Sequence, residues 1–200
     1  MNRKSTDTAR RRWTAVAVLG IVAGVAAVQT QDSSAVEQFQ QGVDGYIALR
    51  GAATTQISPP VVSSDVSSIL AAVDRLAEAI RAARPTARAG DIFMAQSASA
   101  IRRRIEAVLG RHHGKLAGLL VEIDGEAPPL PARLFVNGRF DWQYGASMPA
   151  DFIAVLPALP SPLQYRFVGR DLVLVDIEAG LVVDVLPSVL TVRQIDGQER

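Results

Sequence analysis

The sequence predicts an α+β protein in which helices occupy the first half and a small antiparallel sheet occupies the second. Apolar residues recur at spacings of three and four between residues 34 and 109, which is typical of amphipathic helices. Between residues 163 and 186, three apolar runs are separated by two short glycine-containing turns, which is typical of a β-meander. The predicted order is an N-terminal apolar helix (1–28), a region of three helices (29–127), an α+β region with a short helix and three strands (128–192), and a polar tail (193–200).

The N-terminus has the three-part pattern of a secretory signal peptide. Basic residues crowd positions 1–12, positions 13–28 are mostly apolar, and the chain then turns polar at once. The small residues Val25, Ala26 and Ala27 predict cleavage after Ala27. The apolar stretch is shorter than the about 20 residues of a membrane span. The alternatives are an uncleaved anchor, touching the membrane only through residues 13–28, and an ordinary buried helix. With a signal or an anchor, the rest of the chain is expected to be periplasmic or otherwise extracytoplasmic.

Composition excludes several classes of function. The chain contains no cysteine, which excludes disulfides, thiolate catalysis and cysteine-based zinc sites. Residues 1–28 hold five of the 21 basic residues and one of the 20 acidic residues, so the remainder is mildly acidic. A mildly acidic body is not expected to bind nucleic acid. Because ATP and nicotinamide cofactors are not kept outside the cytoplasm, no cofactor is expected either.

The first amphipathic helix is predicted over residues 34–50. Its apolar face would consist of Val36, Phe39, Val43, Tyr46 and Ile47. Ser34 and Glu37 have the spacing of a capping box, in which each side chain hydrogen-bonds to an otherwise unpaired amide of the first turn. The helix is therefore expected to begin at Ser34. Pro59 and Pro60 should separate it from the next helix.

Two further helices are predicted over residues 65–83 and 95–109. The apolar stripe of the second helix is expected to contain Val66, Ile69, Leu70, Val73, Leu76, Ala77 and Ile80. The inward face of the third helix is expected to contain Ala98, Ile101, Ile105, Val108 and Leu109. Gly110 is the predicted C-cap of the third helix.

The end of the third helix carries three consecutive arginines and precedes the two histidines. Arg102, Arg103 and Arg104 predict either a patch that binds an anion or a lipid phosphate, or a solvated helix face favoured by the helix dipole. Adjacent helical positions diverge by about 100°. His112 and His113 are therefore poorly placed to share one metal ion, and the sequence has no other histidine or cysteine to complete a site. No metal site is predicted.

A proline-rich joint at Pro128, Pro129 and Pro131 is the predicted boundary between the two halves. A short hairpin is expected after it, with strands over residues 133–137 and 139–143 and a tight turn at Asn137-Gly138. A short helix over residues 148–156 should follow, with Pro149 in its first turn.

The three strands of the meander are predicted over residues 163–168, 171–176 and 181–186. Gly169 suits the first position of a two-residue type II′ turn, and Gly180 can supply a positive φ for the second turn. The second and third strands are apolar at successive positions, so both faces of the sheet should be covered. One face is expected to pack on the short helix, and the other on the first-half helices or a partner.

Four acidic residues punctuate this region, and one of them is unusual. They are Asp171, Asp176, Glu178 and Asp184. The first two bracket a strand and Glu178 lies in a turn, which are ordinary places for acids. Asp184 instead falls inside an apolar strand, where period-two alternation places Val182 and Leu186 on its face.

A buried carboxylate at position 184 needs a partner. Arg166 and Arg170 are the candidate partners. Alternatively, Asp176 and Asp184 are functional carboxylates that act as an acid or a base, or that hold a cation together.

Two segments carry a resemblance to known proteins. Residues 79–93 and 148–187 resemble a family of uncharacterised exported bacterial proteins with no assigned activity. Residues 163–185 are similar to the C-terminal hairpin of RcnB-like periplasmic proteins, which are linked to nickel and cobalt homeostasis. This second resemblance implies a metal-stress accessory role. The sequence departs from it in lacking further histidines, so no metal ligands are assigned.

No catalytic motif is present, so no catalytic residues are assigned. The chain lacks G-x-S-x-G, H-E-x-x-H, Walker, G-x-G-x-x-G and EF-hand patterns. The leading hypothesis is a non-enzymatic exported module that binds an envelope protein or polymer. The alternatives are an envelope-polymer hydrolase that uses Asp176 and Asp184, with carboxyl groups roughly 5 to 9.5 Å apart, and the RcnB-like accessory protein.

Overall fold

The computed structural model describes residues 10–57, 65–112, 134–144 and 148–190, with side chains from residue 31 on. The helices are α1 (Arg10–Thr55), α2 (Val66–Ala83), α3 (Ala95–Arg111), a 3₁₀ turn (Trp142–Tyr144) and α4 (Ala150–Ile153). The strands are β1 (Leu163–Val168), β2 (Asp171–Asp176) and β3 (Leu181–Leu186). The predicted α+β class is confirmed. The predicted proline joint at 128–131, His113 and the tail at 193–200 lie outside the described residues.

Helix α1 runs without a break through the position where a helix start was predicted. It spans Arg10–Thr55, so the predicted start at Ser34 is wrong. Ser34 and Glu37 form no capping box, because helix precedes Ser34 and no first turn with unpaired amides exists there. The predicted apolar face is present, and Phe39, Val43 and Tyr46 are buried. In the part of the chain with described placement, no helix is both long and apolar enough to cross a membrane.

Helix α2 begins one residue after its predicted start and buries only part of its apolar stripe. Ala77 and Ile80 are buried, whereas Val66, Ile69 and Leu70 are 68%, 49% and 48% exposed. Val73 lies beside Gly180 in the β2–β3 turn. The stripe prediction is therefore correct only for the C-terminal half of α2, because the contact with the sheet begins near Val73 and the earlier residues extend beyond it.

Asp65 caps α2, and this cap makes part of the stability dependent on pH. Its carboxylate accepts from the backbone amides and hydroxyls of Ser67 and Ser68. These hydrogen bonds lower the pKa of Asp65 to about 2, against about 3.9 in an unfolded chain. A lowered folded-state pKa gives stability that is complete above the unfolded value and is lost as the pH falls through about 2.

Asp65→Asn is expected to remove this pH dependence, because asparagine still caps a helix but does not titrate. Acid unfolding of both proteins, followed by circular dichroism, should show the stability advantage of the wild type over Asp65→Asn shrinking between about pH 4 and pH 2. Replacing Ser67 and Ser68 together by alanine should weaken the same dependence. A constant difference across that range would rule out the lowered pKa of Asp65.

Helices α3 and α4 follow the predictions closely, apart from their ends. The inward side chains of α3 are Ile101, Ile105, Val108 and Leu109, all of them buried. Gly110 is not the C-cap, because α3 continues to Arg111 and His112 occupies the cap position. Pro149 precedes α4 at its N-cap and does not lie within its first turn.

The three-stranded meander has the predicted strands and turns. The order is β1-β2-β3, and both pairs are antiparallel. Gly169 and Gly180 take φ values of +55° and +58° in the two turns, which a side chain would disfavour. A β-bulge interrupts the second pair, where Leu174 faces Asp184 but Val175 faces Val182. Val183 is therefore the extra residue of the bulge.

The bulge changes which residues share a face with Asp184. Leu186 packs in the larger core on the helical side of the sheet, as predicted, but Val182 packs in the smaller cluster on the opposite face. The prediction that Val182 lies on the face of Asp184 is wrong, since one extra residue shifts the alternation by one position.

Both faces of the sheet are covered, as predicted, but not by the expected elements. The larger core joins α1, α2, α3 and α4 to one sheet face, with Phe152 of α4 packed edge-on against Phe167 of β1. Five valines of the opposite face cluster with Phe140, and Leu134 packs against them. The short helix and the first-half helices therefore lie on the same side, and residues 134–140 cover the other.

Residues 134–140 run beside β3 and do not form the predicted hairpin. The amides of Asn137 and Phe140 donate to the carbonyls of Val182 and Gly180, each at 2.8 Å, and the Val182 amide donates to Gly138. A tight turn does form, but a bond from the Gly138 amide to the Phe135 carbonyl places Val136 and Asn137 at its centre, one residue earlier than the predicted Asn137-Gly138. The predicted returning strand is wrong, because the chain after the turn pairs with the exposed edge of β3 and then forms the 3₁₀ turn.

Candidate functional site

Asp184 is fully buried and its carboxylate accepts four backbone amides. Oδ1 accepts from Gly90 at 2.8 Å and from Val185 at 2.7 Å, and Oδ2 accepts from Ile92 and Phe93 at 2.7 Å each. Burial raises the pKa of Asp184 above its ordinary value, and the four amide bonds oppose that rise. The carboxylate thus fastens the loop between α2 and α3 to β3.

The predicted pairing of Asp184 with Arg166 or Arg170 is wrong. Among the described residues, no arginine forms an ion pair with Asp184, because backbone amides occupy both of its oxygens. Arg166 instead donates to Gln164 at 2.8 Å, and its guanidinium lies 5.4 Å from the ring centre of Trp142. Arg170 is exposed at the β1–β2 turn, where its carbonyl accepts from the amides of Val189 and Leu190.

Asp176 is also fully buried, and it joins α1 to the sheet. Its Oδ2 accepts from the Tyr46 hydroxyl at 2.8 Å and from Arg50 Nε at 2.7 Å. Its Oδ1 accepts from the amides of Glu178 and Ala179, which shapes the β2–β3 turn. Arg50 also forms an ion pair with the Glu178 carboxylate.

The electrostatics of this cluster keep Tyr46 and Arg50 protonated, so that both can donate hydrogen bonds to Asp176. Burial and the neighbouring Asp176 carboxylate raise the pKa of Tyr46, so its hydroxyl stays protonated and donates. Burial by itself would lower the pKa of Arg50, but the hydrogen bond and charge of Asp176 raise it above its ordinary value. The Arg84 guanidinium lies over the Tyr46 ring, 5.2 Å from its centre.

The two candidate functional carboxylates are therefore separate structural acceptors. Each uses both oxygens inside the core, and each is tied to a different helical segment. Neither lines either of the two surface hollows described below. Sequence reasoning found both carboxylates but missed Tyr46 and Arg50 as partners, because nothing local in the chain relates positions 126 to 130 residues apart.

The three arginines of α3 diverge around the helix, and two of them bind backbone carbonyls. Arg102 donates to the carbonyls of Pro187 and Ser188 at 2.7 and 3.0 Å. Arg104 donates to Val155 and pairs with Asp32. Arg103 is largely exposed and lies 3.8 Å from Asp32. The predicted anion patch therefore retains one exposed guanidinium, since the other two hold β3 and the α4 region against α3.

The histidine at the end of α3 has an acidic neighbour. His112 Nε2 lies 3.0 Å from the Asp151 carboxylate of α4. Within the described ranges, no cluster of three or more histidine, aspartate or glutamate side chains could hold a metal ion.

A groove of about 500 Å³ lies beside the sheet. Residues 156–159 and residues 163–166 line it, together with Met148 and Ile153. Among the described lining residues, Arg166 alone is charged, and the others are mostly apolar. A second hollow of about 620 Å³ lies between α1 and the start of α3 and is lined mainly by small or polar residues.

No protein-family model, curated protein or solved structure matches this chain.

Proposed function

We propose that this chain is an exported, non-catalytic binding module of the cell envelope, and that it binds its partner in the groove along β1. The observation that carries the proposal is the groove itself, which combines an apolar lining with one basic side chain, Arg166. Small binding sites commonly combine an apolar surface with a few placed polar groups. The signal-like pattern of residues 1–28 supports export.

The contacts of the acidic residues favour binding over hydrolysis. A glycoside hydrolase needs two carboxyl groups on opposite sides of a cleft. Asp176 and Asp184 are buried, and each is occupied by four donors on both oxygens. The hydrolase alternative thus has no support from the two carboxylates on which it depends.

Site-specific photocrosslinking in the native cell envelope tests the proposed site. A benzophenone amino acid at Ile153, a groove residue that is 59% exposed, is expected to give one or a few discrete adducts. The same group at Arg88, whose side chain is 87% exposed in a loop away from the groove lining, is the matched control and should give none above background.

A third position separates the groove from the exposed end of α2. Adducts from Val66 that are absent from Ile153 would contradict the proposed site and assign binding to α2. Equal labelling from Ile153, Val66 and Arg88 would mean non-specific capture and would contradict the proposal as a whole.

A further inference from the structure

We infer that the groove binds an extended, acidic peptide segment of its partner, which adds as a strand to the edge of β1 that faces away from β2. This inference depends on the proposed function, because it names the class of ligand for the same groove. Three observations carry it: the position of the groove, the direction of the main-chain groups of β1, and the positive charge of Arg166 in the lining.

The groove lies along the edge of β1 and not on a face of the sheet. Its lining includes four consecutive residues of β1, positions 163–166. Successive side chains of a strand point to opposite faces. Leu163 and Tyr165 accordingly pack in the helical core, whereas Arg166 lies over Trp142 on the other side. A hollow that touches both sets must follow the strand edge.

The main-chain groups at this edge point away from β2. Val168 and Asp171 flank a two-residue turn and so form a hydrogen-bonded pair. Hydrogen-bonded and non-hydrogen-bonded pairs then alternate along the ladder. The bond from the Ile177 amide to the Pro162 carbonyl agrees with this alternation, because it falls six residues along β1 from the Val168 pair. Tyr165, in a non-hydrogen-bonded pair with Leu174, therefore directs its N–H and C=O outward.

Part of this edge is already used by the chain, which limits the length of an added strand. The Leu163 amide donates to the Pro160 carbonyl at 2.9 Å. Among the described residues, no further main-chain bond occupies the Leu163 carbonyl or the N–H and C=O of Tyr165, so these groups are available to a ligand. An antiparallel peptide would pair one residue with Tyr165 and would contact the apolar wall at 156–159 with alternate side chains.

The positive charge of Arg166 in the groove lining favours an acidic peptide. Among the described residues, the Arg166 guanidinium makes one hydrogen bond, from Nη2 to Gln164, and none from Nη1, while its Nε is buried without a partner. No carboxylate among the described residues forms an ion pair with it. A guanidinium with unused donors binds a carboxylate in a fixed planar geometry. A glutamate or aspartate of the peptide, placed next to the residue paired with Tyr165, would satisfy it.

Two peptide pools test the inference on the full-length chain in detergent. Both pools consist of blocked seven-residue peptides with apolar residues varied at alternate positions, and they carry either glutamate or glutamine at the centre. We expect the glutamate pool to bind at least about tenfold more tightly, as for hydrogen bonds to a charged group. In the bound protein, hydrogen exchange of the Tyr165 amide should slow at least about tenfold, because a strand bond protects it.

Two substitutions separate the role of Arg166 from a general charge effect. Arg166→Gln should abolish the preference for glutamate while leaving Tyr165 exchange slowed by either pool. Arg170→Gln removes a neighbouring exposed charge outside the groove lining, and it should keep the preference. Equal binding of the two pools by the wild type, or no binding of either pool, would overturn the inference.

The outcomes distinguish this inference from the proposed function. Adducts at Ile153 in cells, combined with unchanged Tyr165 exchange on peptide binding, would leave the groove as a binding site and overturn strand addition. A peptidoglycan fragment that shifts the NMR signals of the groove residues without slowing Tyr165 exchange would likewise replace the peptide with a glycan ligand. Absence of adducts at Ile153 would remove the groove itself.

Discussion

Asp184→Ala is expected to lower the free energy of unfolding by about 3–5 kcal/mol. Removing one member of a buried charged network has a cost of this size. The substitution leaves the buried amides of Ile92 and Phe93, and the partly buried amide of Gly90, without their acceptor. Each buried unsatisfied amide costs about 1–3 kcal/mol. Urea unfolding measured by circular dichroism and tryptophan fluorescence would give the value.

Asp171→Ala is the matched control for this prediction. Asp171 is also an aspartate of the meander, but it accepts a single bond, from the Ser188 amide, at a partly exposed site. Its loss should cost about 1 kcal/mol or less. If Asp184→Ala costs no more than Asp171→Ala, the four bonds do not hold the α2–α3 loop. Hydrogen exchange at Ile92 and Phe93 should accelerate in Asp184→Ala but stay unchanged in the control.

The pair of Arg50 and Asp176 is expected to show a coupling energy of about 2 kcal/mol in a double-mutant cycle. The substitutions are Arg50→Met, Asp176→Asn and their combination. Each single change leaves a buried partner incompletely bonded, since Arg50 is 14% exposed and Asp176 is fully buried. The double variant should therefore lose less stability than the sum of the single variants, as measured by urea unfolding.

An exposed ion pair on the same protein provides the comparison. Arg139 and Asp74 lie 3.4 Å apart with side chains more than half exposed. Their coupling should be below about 0.5 kcal/mol, because water screens both charges. Additive losses for Arg50 and Asp176, within about 0.5 kcal/mol, would show that the two side chains do not depend on each other.

These two predictions concern the same structural feature, the fastening of separate helices to one sheet. Asp176 joins β2 to α1 through Tyr46 and Arg50, and Asp184 joins β3 to the loop between α2 and α3. Strand β3 is otherwise apolar and buried, and so is β2 apart from Asp171 at its start. Carboxylates at these places fix the position of each helix relative to the sheet, because their bonds are directional and apolar packing is not.

The strands were predictable to the residue because their signals are local. The bounds of β1, β2 and β3 and the two glycine turns follow from adjacent residues, since a turn depends on the φ of one or two positions. The apolar face of α3 was also predicted correctly, because burial follows the helical repeat. The start of α1 was not, because a capping box indicates a possible start and cannot exclude helix before it.

The elements that cover the sheet were harder to predict. Residues 134–140 carry a hairpin signal at Asn137-Gly138, yet they pair with the free edge of β3, which is distant in sequence. The exposed half of α2 has the same apolar period as the buried half, so the pattern could not distinguish them. In both cases the burial of the element depends on where it ends relative to a neighbouring element. A local sequence pattern carries no information about that position.

The sequence by itself determined the fold class, the three strands and the residues worth testing, Asp176 and Asp184 among them. Only the tertiary structure decided what those residues do. A one-residue bulge set the face of Asp184, and packing brought it to amides more than 90 positions away and not to Arg166. Periodicity specifies which side chains point inward, but the donors that meet a buried carboxylate depend on how separate elements pack, and that is a property of the whole chain.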